Sequence, residues 1–177
     1  MPIALEVPAD NGSEDMANSQ RIFEILLIED NPADARLMRE GWLECGAVES
    51  NLHTLHDCRT AMPYLQRHRP YETAPTPDII LLDYTMPTNG GAALAAIKNH
   101  RELRRIPAIV ITGSVSPRDI LDIYERGANC CMSKPRDMQG YFEMVHKIAD
   151  YWLKSVTLPS TFNEGNHGKN ACATILE

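Results

Sequence analysis

Pro77-Asp78-Ile79-Ile80-Leu81-Leu82-Asp83-Tyr84-Thr85-Met86-Pro87 is the stretch whose reading decides the fold of this chain. Four consecutive aliphatic residues, Ile79 to Leu82, predict a central strand buried on both faces, as a parallel sheet covered by helices requires. The run stops at a carboxylate, Asp83, and Pro87 forbids the strand to continue. Ligands of open α/β sheets sit just beyond the carboxyl ends of the strands, so Asp83 stands where chemistry is normally done. A lone acid at a strand end is as readily a solvated turn residue. The other strand ends carry the decision.

On either side of this strand, strand and helix patterns alternate. Ile22 to Ile28 predicts a first buried strand ending at Glu29-Asp30, and Asn31 caps a helix that opens on Pro32. Ala33, Leu37, Met38, Trp42 and Cys45 recur at helical spacing before Gly46. Asn51 to Leu55 is a short second strand, and Asp57 caps a helix carrying Ala61, Met62 and Leu65, weakened by Pro63. A third helix is expected after Gly90-Gly91, with Ala92, Leu94, Ala95 and Ile97. Pro107 to Ile111 gives a fourth strand ending at Thr112-Gly113, and Ser116-Pro117 opens a fourth helix stopped by Gly127. Asn129 to Ser133 gives a fifth strand ending at Lys134-Pro135, and Asp137 caps a last helix running through Tyr141, Phe142, Val145, Ile148, Ala149 and Trp152. Five βα units in a row imply a parallel sheet with helices on both faces and right-handed crossovers.

Composition narrows the function. A formal net charge of −7 argues against nucleic acid as a direct partner, since phosphate backbones need a basic face. Glu6, Asp10, Glu14 and Asp15 lie in residues 1–20 with no Lys or Arg, which leaves −3 for residues 21–177. No apolar run reaches membrane-spanning length, and the N-terminus lacks the plan of a signal peptide. The five cysteines are scattered without a C-x-x-C, which suits reduced thiols in the cytoplasm. The six histidines show no ligand spacing. Residues 1–20 read as a flexible acidic tail, 21–153 as the domain, and 154–177 as a C-terminal extension.

The polar strand ends, Glu29-Asp30, Asp83, Thr112 and Lys134, all fall on one edge of such a sheet. Three carboxylates gathered there repel one another unless a cation intervenes, and hard oxygen ligands suit Mg2+. Thr112 offers a hydroxyl and Lys134 a point charge to phosphoryl oxygens. Asp83 is then the natural nucleophile for an aspartyl-phosphate.

This combination, with Asp83 inside LLDYTMP, resembles the receiver domain of two-component response regulators over residues 21–153. The resemblance implies a doubly wound (βα)5 fold with sheet order 2-1-3-4-5 and phosphotransfer from a sensor histidine kinase to Asp83. It also implies Glu29, Asp30, Asp83 and the backbone carbonyl of Thr85 as the magnesium ligands. IEDNPADARLMREGW and FEMVHKIADYWLKSVTLP are most similar to the single-domain regulators paired with bacterial phytochromes.

Thr85 stands where that family commonly has Asn, and Gly90 where an acid is frequent. Cys131, three residues before Lys134, occupies the switch position where an aromatic commonly sits. Two other functions are compatible with the acidic pocket: a phosphorylation-independent adaptor, and an aspartate-dependent phosphatase. The phosphatase class typically places a second Asp where this chain has Thr85, so turnover of an external substrate is not expected. Trp152, Leu153, Val156 and Leu158 continue the last helix's apolar stripe, which predicts a homodimer through that helix and residues 152–159.

Overall fold

The computed structural model describes residues 22–46, 49–114 and 116–159. The tail expected over residues 1–20, and residues 160–177 of the expected extension, lie outside the described residues. The strands are β1 (Phe23–Ile28), β2 (Ser50–Leu55), β3 (Ile79–Asp83), β4 (Ala108–Thr112) and β5 (Cys130–Ser133). The helices are α1 (Pro32–Cys45), α2 (Ala61–Leu65), α3 (Gly90–Asn99), α4 (Pro117–Glu125) and α5 (Met138–Ile148). Every strand pair is parallel, and the sheet order is β2-β1-β3-β4-β5, as expected from the sequence.

Alternation along the strands builds two cores. Leu26, Ile28, Ile80, Leu82, Ala108 and Val110 face a cluster with Ala61, Leu65, Leu94, Ile97 and Ile123 of α2, α3 and α4. Ile25, Leu27, Ile79, Leu81, Ile109 and Ile111 face Met38, Trp42, Met144, Val145 and Ile148 of α1 and α5. Ile79 to Leu82 are each 0% exposed, so β3 is the strand buried from both sides that its unbroken aliphatic run demands. Three of the four expected caps form on their helices: Asn31 accepts from the Ala33 N–H, Ser116 from Asp119 and Asp137 from Gly140. Asp57 accepts from Arg59 but caps a 3-10 turn, Cys58–Thr60, that leads into α2, which has no side-chain cap of its own. Among the described residues, no helix is long and apolar enough to cross a membrane.

Two expectations need correction. The third helix does not follow Gly90-Gly91 but starts on them, with Asn89 as its cap accepting from Ala92. The reason is space. A Cβ on Gly90 would lie 2.6 Å from the Asp83 carbonyl oxygen and 2.8 Å from that of Tyr84. The glycine therefore lets the helix start press against the end of the central strand.

The second correction concerns the C-terminal stripe. α5 runs into a wider π-helical turn, Ala149–Ser155, after which Val156 is extended. Leu153 and Leu158 are both buried in the chain's own α1–α5 core, with Trp152 and Val156 half-buried against it. The stripe therefore does not run past its core but folds onto it. Tyr151 is left exposed.

Gly90→Ala should destabilise the domain by about 1–3 kcal/mol, because the new methyl meets backbone that cannot step aside. Gly91→Ala meets the phenol of Tyr84, the far end of a side chain that can swing away, and should cost less. Thermal melts of the two variants against the parent check the order.

Candidate functional site

Parallel pairing puts every strand's carboxyl end on one edge, and four elements bring their side chains together there. Glu29 follows β1 and Asp83 ends β3, both 3% exposed. Lys134 follows β5, and its backbone N–H donates to the Thr112 carbonyl at 2.8 Å, which ties it to the end of β4. Its ammonium donates to Glu29 Oε2 at 2.8 Å and to Asp83 Oδ2 at 2.7 Å. The other Asp83 oxygen, Oδ1, accepts from the Thr85 N–H at 2.8 Å and the Thr85 hydroxyl at 2.7 Å. Carboxylate oxygens of Glu29, Asp30 and Asp83 lie within 4.8 Å of one another.

Thr112 is 1% exposed at the end of β4, with its hydroxyl oxygen accepting from the Ser114 N–H at 3.1 Å. That oxygen keeps its own proton to donate. Cys131 is half-buried against the α2–α3–α4 core, and burial pushes its thiol up. It packs there as a small apolar side chain.

Burial sets the electrostatics and the single cation divides them. It pushes the Glu29 carboxyl up to about 7, with the Asp83 charge adding to the rise and the Lys134 hydrogen bond opposing it. Burial also works against the Asp83 carboxylate, but the hydrogen bonds from Lys134 and Thr85 outweigh it and hold that group below its ordinary range. Lys134 loses hydration too, yet its carboxylate partners keep it protonated well past neutrality. Asp83 is thus an ionised, desolvated carboxylate beside a permanent cation.

Sequence reasoning missed two features. Asp34, in the first turn of α1, forms a third ion pair with Lys134 Nζ at 2.8 Å. It was hidden because an acid in a first turn has an ordinary reason to be there, the helix dipole. The second is a polar ring beside the site: the Tyr84 phenol donates to Asp122 of α4, Arg126 Nε reaches the same carboxylate at 2.7 Å, and Arg126 Nη1 reaches the Gly91 carbonyl at 3.4 Å. Gly91 makes room for it, since a Cβ there would lie 2.8 Å from the phenol oxygen. An open cleft of about 370 Å³ beside the ring is lined by Tyr84, Thr85, Met86, Pro87, Asn89, Gly91 and Arg126.

Residues 25–146 match the sequence pattern of the response regulator receiver domain. The chain belongs to that family. This receiver is 41% identical over 137 residues to response regulator Rcp1 of Synechocystis sp., covering 77% of this chain and 92% of the relative. The crystal structure of the Mn(2+)-bound form of Rcp1 superposes with a TM-score of 0.73 at 40% identity, over 78% of this chain and 99% of that one. The phosphorylated cyanobacterial phytochrome response regulator RcpA superposes with a TM-score of 0.75 at 37% identity, over 79% and 100%.

The receiver's donor set fits a hard divalent cation: three carboxylates close enough to share one ion, with no thiolate or imidazole among them. In metal-free solution Lys134 has to balance that charge by itself. Lys134→Ala should therefore cost about 3–5 kcal/mol by urea unfolding near neutral pH without divalent ions. Protonating Glu29 and Asp83 removes the uncompensated charge, so the deficit should shrink as pH falls and grow as it rises. Added magnesium should also reduce it.

Proposed function

We propose that this receiver takes a phosphoryl group onto Asp83 from the phosphohistidine of a sensor histidine kinase of the phytochrome type. The observation that supports it most is the state of Asp83: ionised, nearly dry, oriented through both oxygens by Thr85 and Lys134, and within reach of two further carboxylates. One Asp83 oxygen attacks phosphorus, the P–N bond breaks, and the leaving imidazole takes up a proton. Glu29, Asp30 and Asp83, with the backbone carbonyl of Thr85, would hold Mg2+, which when bound neutralises phosphoryl oxygens. Lys134 supplies a fixed positive charge to the same oxygens, and the Thr112 hydroxyl donates to one of them. Cys131 is the switch position, where a small side chain takes the place of an aromatic. The names of Rcp1 and RcpA support the phytochrome pairing.

The receiver then acts in the cytoplasm by protein association, without turnover of an external substrate and without nucleic acid as a direct partner. A homodimer through the last helix and residues 152–159 would rest on exposed Tyr151 and half-buried Trp152 and Val156, since Leu153 and Leu158 are taken up by their own core. The domain would span residues 21–153.

Acetyl phosphate with magnesium should add one phosphoryl mass to the protein, read by intact mass spectrometry. Asp83→Asn should abolish the gain and Asp30→Asn reduce it strongly. A full gain in Asp83→Asn would place the phosphoryl group elsewhere.

For the dimer, light scattering at micromolar protein should report twice the chain mass, and Tyr151→Lys should shift it toward monomer. A monomer in both phosphorylation states would exclude the terminal interface.

A further inference from the structure

In the resting protein the Lys134 ammonium lies against three carboxylates: it donates to Glu29 at 2.8 Å and to Asp83 at 2.7 Å, and it forms an ion pair with Asp34 at 2.8 Å. Two of these carboxylates belong to the group whose oxygens gather within 4.8 Å, and Asp34 does not. Asp34 is also held independently of Lys134. Its Oδ2 accepts from Asn31 Nδ2 at 3.0 Å, and the phenol of Tyr141, buried on α5, bonds to the same carboxylate. The Asp34 carboxylate is therefore held from α1 and α5, outside the acidic group.

We propose that Asp34 is a positioning residue that holds Lys134 in its resting place and competes with the phosphoryl oxygens for it. The inference rests on the phosphoacceptor reading of Asp83. Once Asp83 is phosphorylated to the acyl phosphate, its neighbourhood holds three phosphoryl oxygens with more negative charge than the carboxylate they replace. Lys134 divides its charge among three carboxylates, so turning it towards those oxygens weakens a resting contact. Asp34, the partner outside the acidic group, is the one that opposes the turn. Loss of that contact leaves Asp34 to Asn31 and Tyr141, so the exchange is felt in the first turn of α1 and in α5.

The experiment compares Asp34→Asn with the parent for binding of beryllofluoride, a phosphoryl mimic, at saturating magnesium. Asn keeps the shape and an acceptor for Asn31 while removing the charge that holds the ammonium. Removing the competitor should tighten mimic binding by roughly threefold or more. Losing one negative charge near the pocket would tighten an anion by itself, so the same comparison is made in a Lys134→Ala background. There the Asp34→Asn effect should largely vanish. An equal effect in both backgrounds, or none in either, overturns the positioning role.

A second readout needs no Lys134 variant and covers the case in which that variant fails to fold. The 15N-labelled ammonium of Lys134 should shift on adding the mimic to the parent, and in Asp34→Asn the resting signal should already lie towards the mimic-bound position. An unmoved resting signal overturns the proposal. If neither protein binds the mimic nor gains mass from acetyl phosphate, the phosphoacceptor reading fails and the proposal falls with it. Mimic binding that is identical in both proteins removes only the role of Asp34.

Discussion

One ammonium holds the working edge of this protein together. Lys134 pairs with carboxylates from the end of β1, the end of β3 and the first turn of α1, all at 2.7–2.8 Å. Coulomb attraction of that kind stabilises only where the charges are otherwise costly to bury, and Glu29 and Asp83 are nearly sealed from water. Like charges at such separation cannot all remain ionised without a cation. The structure resolves this unevenly: Glu29 is driven towards protonation while Asp83, with two further donors from Thr85, stays ionised. Two carboxylates on one ammonium thus end in different charge states, because only Asp83 has the Thr85 donors as well.

That arrangement depends on the sheet. A parallel ladder sends every strand the same way, so residues more than 100 positions apart, Glu29 and Lys134, meet without any local signal between them. The two apolar faces fix the register that makes the meeting possible: a one-residue slip of β3 would turn its carboxylate edge and exchange the cores on its two sides. Backbone bonds then carry the register past the strand ends. Tyr84 N–H reaches the Ile111 carbonyl at 3.0 Å, and Lys134 N–H the Thr112 carbonyl at 2.8 Å. The polar side chains are therefore aimed by rigid backbone and not by loops.

The strand-end residues were legible because each strand stops abruptly at a polar residue after an apolar run, and parallel topology converts four such stops into one cluster. The starts of α1, α4 and α5 were legible for the same local reason, a short polar cap before a periodic segment. Asp34 was not, since nothing in an acid on a first turn distinguishes a bond to its own helix from one to a lysine a hundred residues on. The C-terminal stripe misled because hydrophobic period was read at 3.6 residues per turn. A π-helical turn re-phases the side chains, so Leu153 and, beyond the helix, Leu158 come back to the core they were expected to leave. Gly90-Gly91 was read as a helix's approach when its meaning was clearance, a property of two chain segments and not of one.

The backbone of Tyr84, directly after Asp83, is tied to β4 through its N–H. Its phenol nevertheless reaches α4, the helix that places only Ile123 fully in the core and leaves Leu121 and Tyr124 exposed. A helix with so little apolar anchorage is held in part by polar contacts, and the ring through Asp122, Arg126 and the Gly91 carbonyl supplies them. Burial and the bond to Asp122 push the Tyr84 hydroxyl up to about 12, so it stays a donor throughout the physiological range. Tyr84 and Cys131 pack against the same core cluster as Ile123. The tie between the carboxyl edge of the sheet and α4 therefore runs from the residue that follows Asp83.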